Sequence, residues 1–248
     1  IQVFVGTESG PTDVAELTVA TPAAAANAAT AAAARRPRLF LLAAGVDRYA
    51  HADRLAHMGL THLAYATADA RAIQTTLGQE ASARYDVVGN LLLTDEAVTR
   101  SAWRDSLASV ARSLSEGVAP DDVVVLFLAG HGMIDDSSGR EYCYLCHDAD
   151  LREAPTGVVP ERSGVITWQD LSALDGLPCR KLAIVDTCHS GGMGPSARSS
   201  SIREFQENMI LVLAAASDAE ASQESSSWGH GAFTTGLLEA IAGRADIR

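Results

Sequence analysis

The 248-residue sequence is almost without lysine. Lys181 is the only one, and 19 Lys and Arg together face 31 Asp and Glu, for a formal net charge of −12. A phosphate backbone is bound by clustered cations, so this balance argues against a nucleic-acid partner and suits basic peptides better. Long apolar runs are missing as well. The longest, Leu39–Val46 and Val123–Ala129, fall short of the roughly 20 residues that span a bilayer and lack a signal peptide's flanks, which argues against a membrane partner. They have the length of buried strands. Cysteine is sparse: Cys143, Cys146, Cys179 and Cys188 are too few and too unevenly spaced for a disulfide scaffold, and point to a reducing, cytoplasmic setting. No glycine-rich phosphate loop follows the first strand, since Gly45-Val46-Asp47 does not qualify, and this weighs against a flavodoxin-like nucleotide binder.

What is present is an ordinary globular composition, 47% hydrophobic and 20% charged, in a length that holds one main domain and a small appendage. Residues 1–20 read as a β-hairpin, with alternating segments Ile1–Val5 and Ala15–Val19 around a Gly- and Pro-containing turn. A lone hairpin is marginal in water, so it is expected to pack on the main domain or to end an upstream β domain. Residues 21–37 form an Ala-rich linker closing in Arg35-Arg36-Pro37. The chain opens at Ile1 rather than Met. The expectation is a fragment or processed form, with regulatory or sensing domains elsewhere and further strand and helix beyond Arg248.

From Arg38 to the end, strands alternate with helices. Strands are expected near 38–46, 86–93, 122–129, 181–187 and 209–216, and helices near 64–79, 98–116, 168–175 and 232–242. That alternation predicts an α/β fold, a doubly wound, mainly parallel sheet with helices on both faces. In such sheets chemistry gathers at the carboxyl ends of the strands. The apolar strand 122–128 leads into Ala129-Gly130-His131-Gly132, and the strand 181–185 into Asp186-Thr187-Cys188-His189-Ser190-Gly191-Gly192. If these strands are parallel neighbours, a thiol and an imidazole leave the sheet at the same edge, beside glycine turns whose N–H groups can hold an oxyanion. A buried structural cysteine and a satisfied histidine are the bland alternatives, and the pairing of both at glycine-flanked strand exits outweighs them. His189 is the rival base by adjacency, but neighbouring side chains on an extended exit point apart.

These two motifs resemble the His-Gly and Asp-x-Cys-x-Ser-Gly motifs of the caspase-like cysteine peptidases, closer to metacaspases and their bacterial relatives than to animal caspases. Caspases carry the histidine about 50 residues before the cysteine, which agrees. Gly45–Tyr49 with Leu63–Ala70, and Leu213–Glu224 with His230–Thr234, are weaker echoes, and the resemblance covers about residues 38–243. It implies a caspase-like fold and acyl transfer through a thioester, with His131 and Cys188 catalytic, Gly132 and Cys188 forming the oxyanion hole, and Asp69, Asp186, Ala216 and Ser217 binding substrate. No metal is needed for that chemistry. Two carboxylates at one sheet edge accept a guanidinium and repel aspartate, so cleavage after Arg, with Lys second, is expected. The alternatives are a helix-capping role for Asp69 and a loop-fixing role for Asp186. Ala129 stands where many metacaspases have serine.

With that specificity, Arg198, Arg203, Arg35 and Arg36 become candidate self-processing sites. Some metacaspases are calcium-activated, but Asp135, Asp136, Asp148 and Asp150 read better as a solvated acidic loop. Cys143 and Cys146 have no second pair at zinc spacing and sit in a strand-like run. The resemblance further implies a cell-death or defence effector. A catalytically silent scaffold of the same fold is the alternative, against which the intact His131 and Cys188 pair weighs.

Overall fold

Leu39–Ala44 and Val124–Ala129 are apolar at successive positions, so each presents hydrophobic side chains to both faces of a sheet. Such strands are stable only where both faces are covered. The computed structural model describes residues 35–115, 117–135, 137, 141–155, 157–187, 210–215, 224–225 and 229–244, and puts these two runs side by side. In chain order its strands are β1 (Arg38–Gly45), β2 (Asp86–Thr94), β3 (Val123–Gly130), β4 (Gly132–Asp135), β5 (Glu141–Leu145) and β6 (Leu151–Ala154). Then come β7 (Gly157–Pro160), β8 (Val165–Thr167), β9 (Arg180–Thr187), β10 (Ile210–Ala214), β11 (Glu224–Ser225) and β12 (His230–Gly231). The helices are α1 (Ala52–Leu55), α2 (Ala66–Ala81), α3 (Arg100–Ser115) and α4 (Ala232–Ile241).

The main sheet has the order β10-β9-β3-β1-β2, and every pairing in it is parallel. The chain steps outward from β1 to β2, returns past β1 to β3, and continues the other way through β9 to β10. Strand order thus reverses between β1 and β3, the place where an open α/β sheet leaves a crevice at its carboxyl ends. Side-chain alternation divides the core in two. Phe40, Leu42, Val124, Leu126, Leu128 and Val185 share one cluster with Trp103, Leu107, Val110 and Leu114 of α3. Leu39, Leu41, Val125, Phe127 and Ile184 share the other with Ala66, Ala70 and Ile73 of α2 and with Leu237, Leu238 and Ile241 of α4. Each such Leu, Ile or Phe, fully buried, contributes about 1.5–3 kcal/mol.

Polar contacts fix the helix starts. Asp47, just past β1, accepts from the N–H of Ala66 at 2.7 Å and of Thr67 at 3.3 Å, capping α2 from outside its own sequence. Thr99 Oγ1 accepts from Ala102 N–H at 3.1 Å at the start of α3. At the opposite edge of the sheet, fully buried Asp122 accepts from Arg38 N at 2.7 Å, Arg38 Nη2 at 2.9 Å and Ala119 N at 3.1 Å. This ties the starts of β1 and β3 together.

The expected strands and three of the four expected helices stand within a few residues of their expected bounds. The exception is 168–175, where Trp168–Leu174 is a 3-10 turn. A segment of seven residues recovers little of the cost of nucleating an α-helix, and a capping box from Thr167 and Asp170 holds the tight turn instead. A small antiparallel sheet, β4-β5-β8, joins the Tyr142–Leu145 run to its neighbours. The unit that holds the described elements begins at Arg36. The expected hairpin, and the linker up to residue 34, lie outside the described residues. Among the described residues no helix is long and apolar enough to cross a membrane.

Candidate active site

The register of β3 and β9 pairs Ala129 with Asp186 and Gly130 with Thr187. The residues immediately before His131 and Cys188 are therefore cross-strand partners. Alternation then sorts the side chains. Asp186 follows Ile184 onto the α2 and α4 face, and Thr187 follows Val185 onto the other, where its Oγ1 lies 2.5 Å from Tyr142 Oη.

His131 is 7% exposed and held from three sides. Its backbone N–H donates to Tyr49 Oη at 2.8 Å. Its ring stacks on that of Tyr49, with centroids 5.1 Å apart and planes at 29°. Its Nε2 lies 2.6 Å from the carbonyl oxygen of Thr61. A carbonyl can only accept, so Nε2 carries the proton and, in the neutral ring, Nδ1 keeps the lone pair. Burial holds the His131 pKa below its ordinary value, opposed by the Thr61 hydrogen bond, so the ring favours the neutral, proton-accepting form. Gly130, with φ of 151°, precedes it. A Cβ there would come within 3.1 Å of Tyr49 Oη and 3.2 Å of Tyr144 Oη, so the approach of these two phenols to β3 requires glycine. Tyr144 Oη donates to Ala129 O at 2.9 Å. Burial raises both tyrosine pKa values well above the ordinary one, which keeps the hydroxyls protonated.

Asp69 and Asp186 come together around Gly231. They are 2% and 5% exposed. Asp69 Oδ1 lies 2.6 Å from His230 Nδ1, and its Oδ2 accepts from Gly231 N–H at 3.1 Å. Asp186 Oδ2 accepts from Thr234 Oγ1 at 2.6 Å. A Cβ on Gly231 would meet Asp186 Oδ2 at 3.0 Å and Asp69 Oδ2 at 3.2 Å, so the backbone passes between the carboxylates. Burial pushes the Asp69 carboxyl up to about 6, with the Asp186 charge adding to it and the bonds from Gly231 and His230 opposing. The capping role open to Asp69 belongs to Asp47 instead. Asp69 lies on the buried stripe of α2 with Ala66, Ala70 and Ile73, where a charge needs a built partner.

Gly132 opens β4 opposite Tyr144 and is buried. Arg36 donates to the carbonyls of Ser82 at 2.6 Å and Tyr85 at 3.1 Å, and pairs with Asp86 at 3.2 Å. Arg35 is exposed. Cys188, His189, Arg198, Arg203, Ala216 and Ser217 lie outside the described residues, as does Asp136. Of the remaining acidic-loop residues, Asp150 pairs with Arg54, and Asp135 is buried and accepts from Ser137 N at 2.9 Å. Among the described residues no group of three or more metal-binding side chains forms. Cys143 and Cys146 are buried thiols whose pKa values burial raises, to about 12 for Cys143, which makes both poor nucleophiles.

The sequence reading missed the supporting residues. Tyr49 and His230 sit inside the segments Gly45–Tyr49 and His230–Thr234 that carry the weaker resemblance, yet nothing in their spacing marks them as partners of His131 and Asp69. Thr61 contributes only a carbonyl, which no residue type announces.

The chain matches a family model described as a caspase domain over residues 42–247. No curated protein matches it in sequence. Among solved structures it is similar to caspase-1 from Spodoptera frugiperda, with a TM-score of 0.51 and 12% identity, covering 84% of this chain and 70% of that one. At that identity the likeness bears on the fold alone.

Proposed function

Because the chain belongs to the caspase-domain family of cysteine endopeptidases, we propose that it cuts protein substrates after arginine, and after lysine second, with Cys188 as nucleophile and His131 as its proton-transfer partner. The observation that carries the specificity is the pair of carboxylates, Asp69 and Asp186, flanking one backbone position at the exit edge of β9. Paired acids match a guanidinium and repel an acidic side chain.

The chemistry runs as acyl transfer. The Cys188 thiol gives its proton to His131 Nδ1 while the sulfur adds to the scissile carbonyl, and the N–H groups of Gly132 and Cys188 stabilise the oxyanion. Collapse breaks the C–N bond as the imidazolium returns the proton to the leaving amine. Water, deprotonated by His131, then hydrolyses the thioester and frees the thiol. No step uses a metal or cofactor, and calcium enters only as an activator to be tested. The cross-strand pairing of Gly130 with Thr187 and the neutral, carbonyl-anchored His131 ring support this assignment. Ala216 and Ser217 would line the substrate cleft, and Arg198, Arg203 and Arg35 are the candidate self-processing sites. The metacaspase-like motifs support a role as a bacterial cell-death or defence effector with further domains.

Fluorogenic peptides ending in Arg, Lys or Asp, assayed with and without calcium beside Cys188→Ala, test the reading. Turnover of Arg above Lys, none of Asp, and none by Cys188→Ala is expected. A preference for Asp would overturn the specificity, and full activity of Cys188→Ala would overturn the nucleophile.

A further inference from the structure

Each of the two carboxylates assigned to the substrate pocket has a partner from one short segment. His230 and Gly231 hold Asp69, and Thr234 holds Asp186. Of the three, only His230 can carry charge. It is also the accessible one: its side chain keeps 26% of its surface exposed, against 3% for Asp69. Gly231 has no side chain to move and lies wedged between both acids, and the Thr234 side chain is buried beneath them. His230 belongs to the two-residue strand β12, paired with the equally short β11 and not with the main sheet. Its ring can turn away from Asp69 without breaking the main sheet's ladder.

We propose that His230 is a specificity-determining residue: its imidazole occupies Asp69 Oδ1 in the free pocket and is exchanged for the cationic side chain that precedes the cut. This rests on the basic-residue reading above. The selective step is the exchange. Lifting His230 off Asp69 leaves a buried carboxylate with one neutral donor among the described residues, the Gly231 N–H, and a buried charge stripped of its partner is strongly disfavoured. An arriving guanidinium or ammonium replaces what is lost, whereas a neutral side chain of the same shape cannot and meets a pocket that His230 still occupies. The filter therefore acts against wrong substrates as well as in favour of right ones. The carboxylates brought against this segment among the described residues are Asp69 from α2 and Asp186 from β9, and α4 contributes the neutral Thr234.

The test compares wild type with His230→Asn and His230→Gln on two peptides that differ only in arginine or its neutral isostere citrulline before the cut. Wild type is expected to favour arginine by about a hundredfold or more in kcat/KM, as a site built around a buried charge should. Both variants should narrow that ratio by about tenfold, through a lower KM for the citrulline peptide. An unchanged ratio in both overturns the role of His230. If wild type itself fails to favour arginine, the basic-residue reading falls instead, and the two failures are distinct. A second measurement needs no altered pocket: the His230 ring resonances are followed by NMR in Cys188→Ala protein, free and saturated with benzamidine as an arginine mimic. Release from Asp69 breaks the 2.6 Å contact at Nδ1 and should move the ring resonances, and resonances that benzamidine leaves in place overturn the exchange.

Discussion

His131 Nε2 lies 2.6 Å from the carbonyl oxygen of Thr61, a residue 70 positions earlier in the chain. The contact costs the ring one nitrogen and leaves the other for chemistry. It also raises the ring's pKa, but burial acts more strongly in the other direction. The sign for activity follows. A pKa held below the ordinary histidine value keeps His131 neutral further into acid, so activity against an arginyl peptide should persist there. We expect the acid limb of kcat/KM to lie below about 6.5, the unperturbed value. A limb above that value would contradict the assignment of His131.

Tyr49 supports the same residue through its hydroxyl and its ring face. Tyr49→Phe keeps the stacking and removes the acceptor for the buried His131 N–H. A loss of about 1–3 kcal/mol in urea unfolding is expected, the cost of an orphaned buried donor. A fall in kcat larger than the rise in KM should accompany it, because the imidazole loses its anchor and the pocket acids do not.

Asp122 provides the contrast, since its contacts with Arg38 and Ala119 lie at the amino-terminal edge of the sheet. Asp122→Ala leaves Arg38 partly buried without its carboxylate and should cost about 3–5 kcal/mol of stability. The folded fraction should retain its KM for arginyl peptides, as measured at a temperature where the variant is still native.

The linker arginines should not be equivalent. Arg36 is engaged with Ser82, Tyr85 and Asp86, and the bond after it leads into Pro37, whose ring fixes the backbone on the leaving side. Mass spectrometry of self-digested protein should show cutting after Arg35 and none after Arg36. Cys188→Ala protein should stay intact, and nicking of the pure variant would sink self-processing.

Much of the fold was legible from local pattern. The runs Leu39–Ala44 and Val124–Ala129 read as buried strands of a mainly parallel sheet, and Ala66, Ala70 and Ile73 recur at the spacing that buries one face of α2. Where elements are short the pattern fails. The three-residue strand β8 and the turn Trp168–Leu174 are too brief for either periodicity to register, and hydrogen bonds to Asp170 settle their form. Asp69 shows the same limit within the site. Its place on the apolar stripe of α2 was visible, but its partner stands 161 residues away, beyond the reach of any local spacing rule.

The sequence by itself determined the chemistry on offer: one histidine and one cysteine in glycine-flanked motifs after apolar strands, two acids that reach the same edge, and a net charge of −12. These follow from residue type and from periods of two and 3.6, which are properties of the chain alone. Only the tertiary structure decided which nitrogen of His131 is left for the proton, that Asp47 rather than Asp69 caps α2, and that His230 covers Asp69. Each of these turns on a contact between segments distant in sequence, where geometry and burial select among partners that composition leaves equivalent.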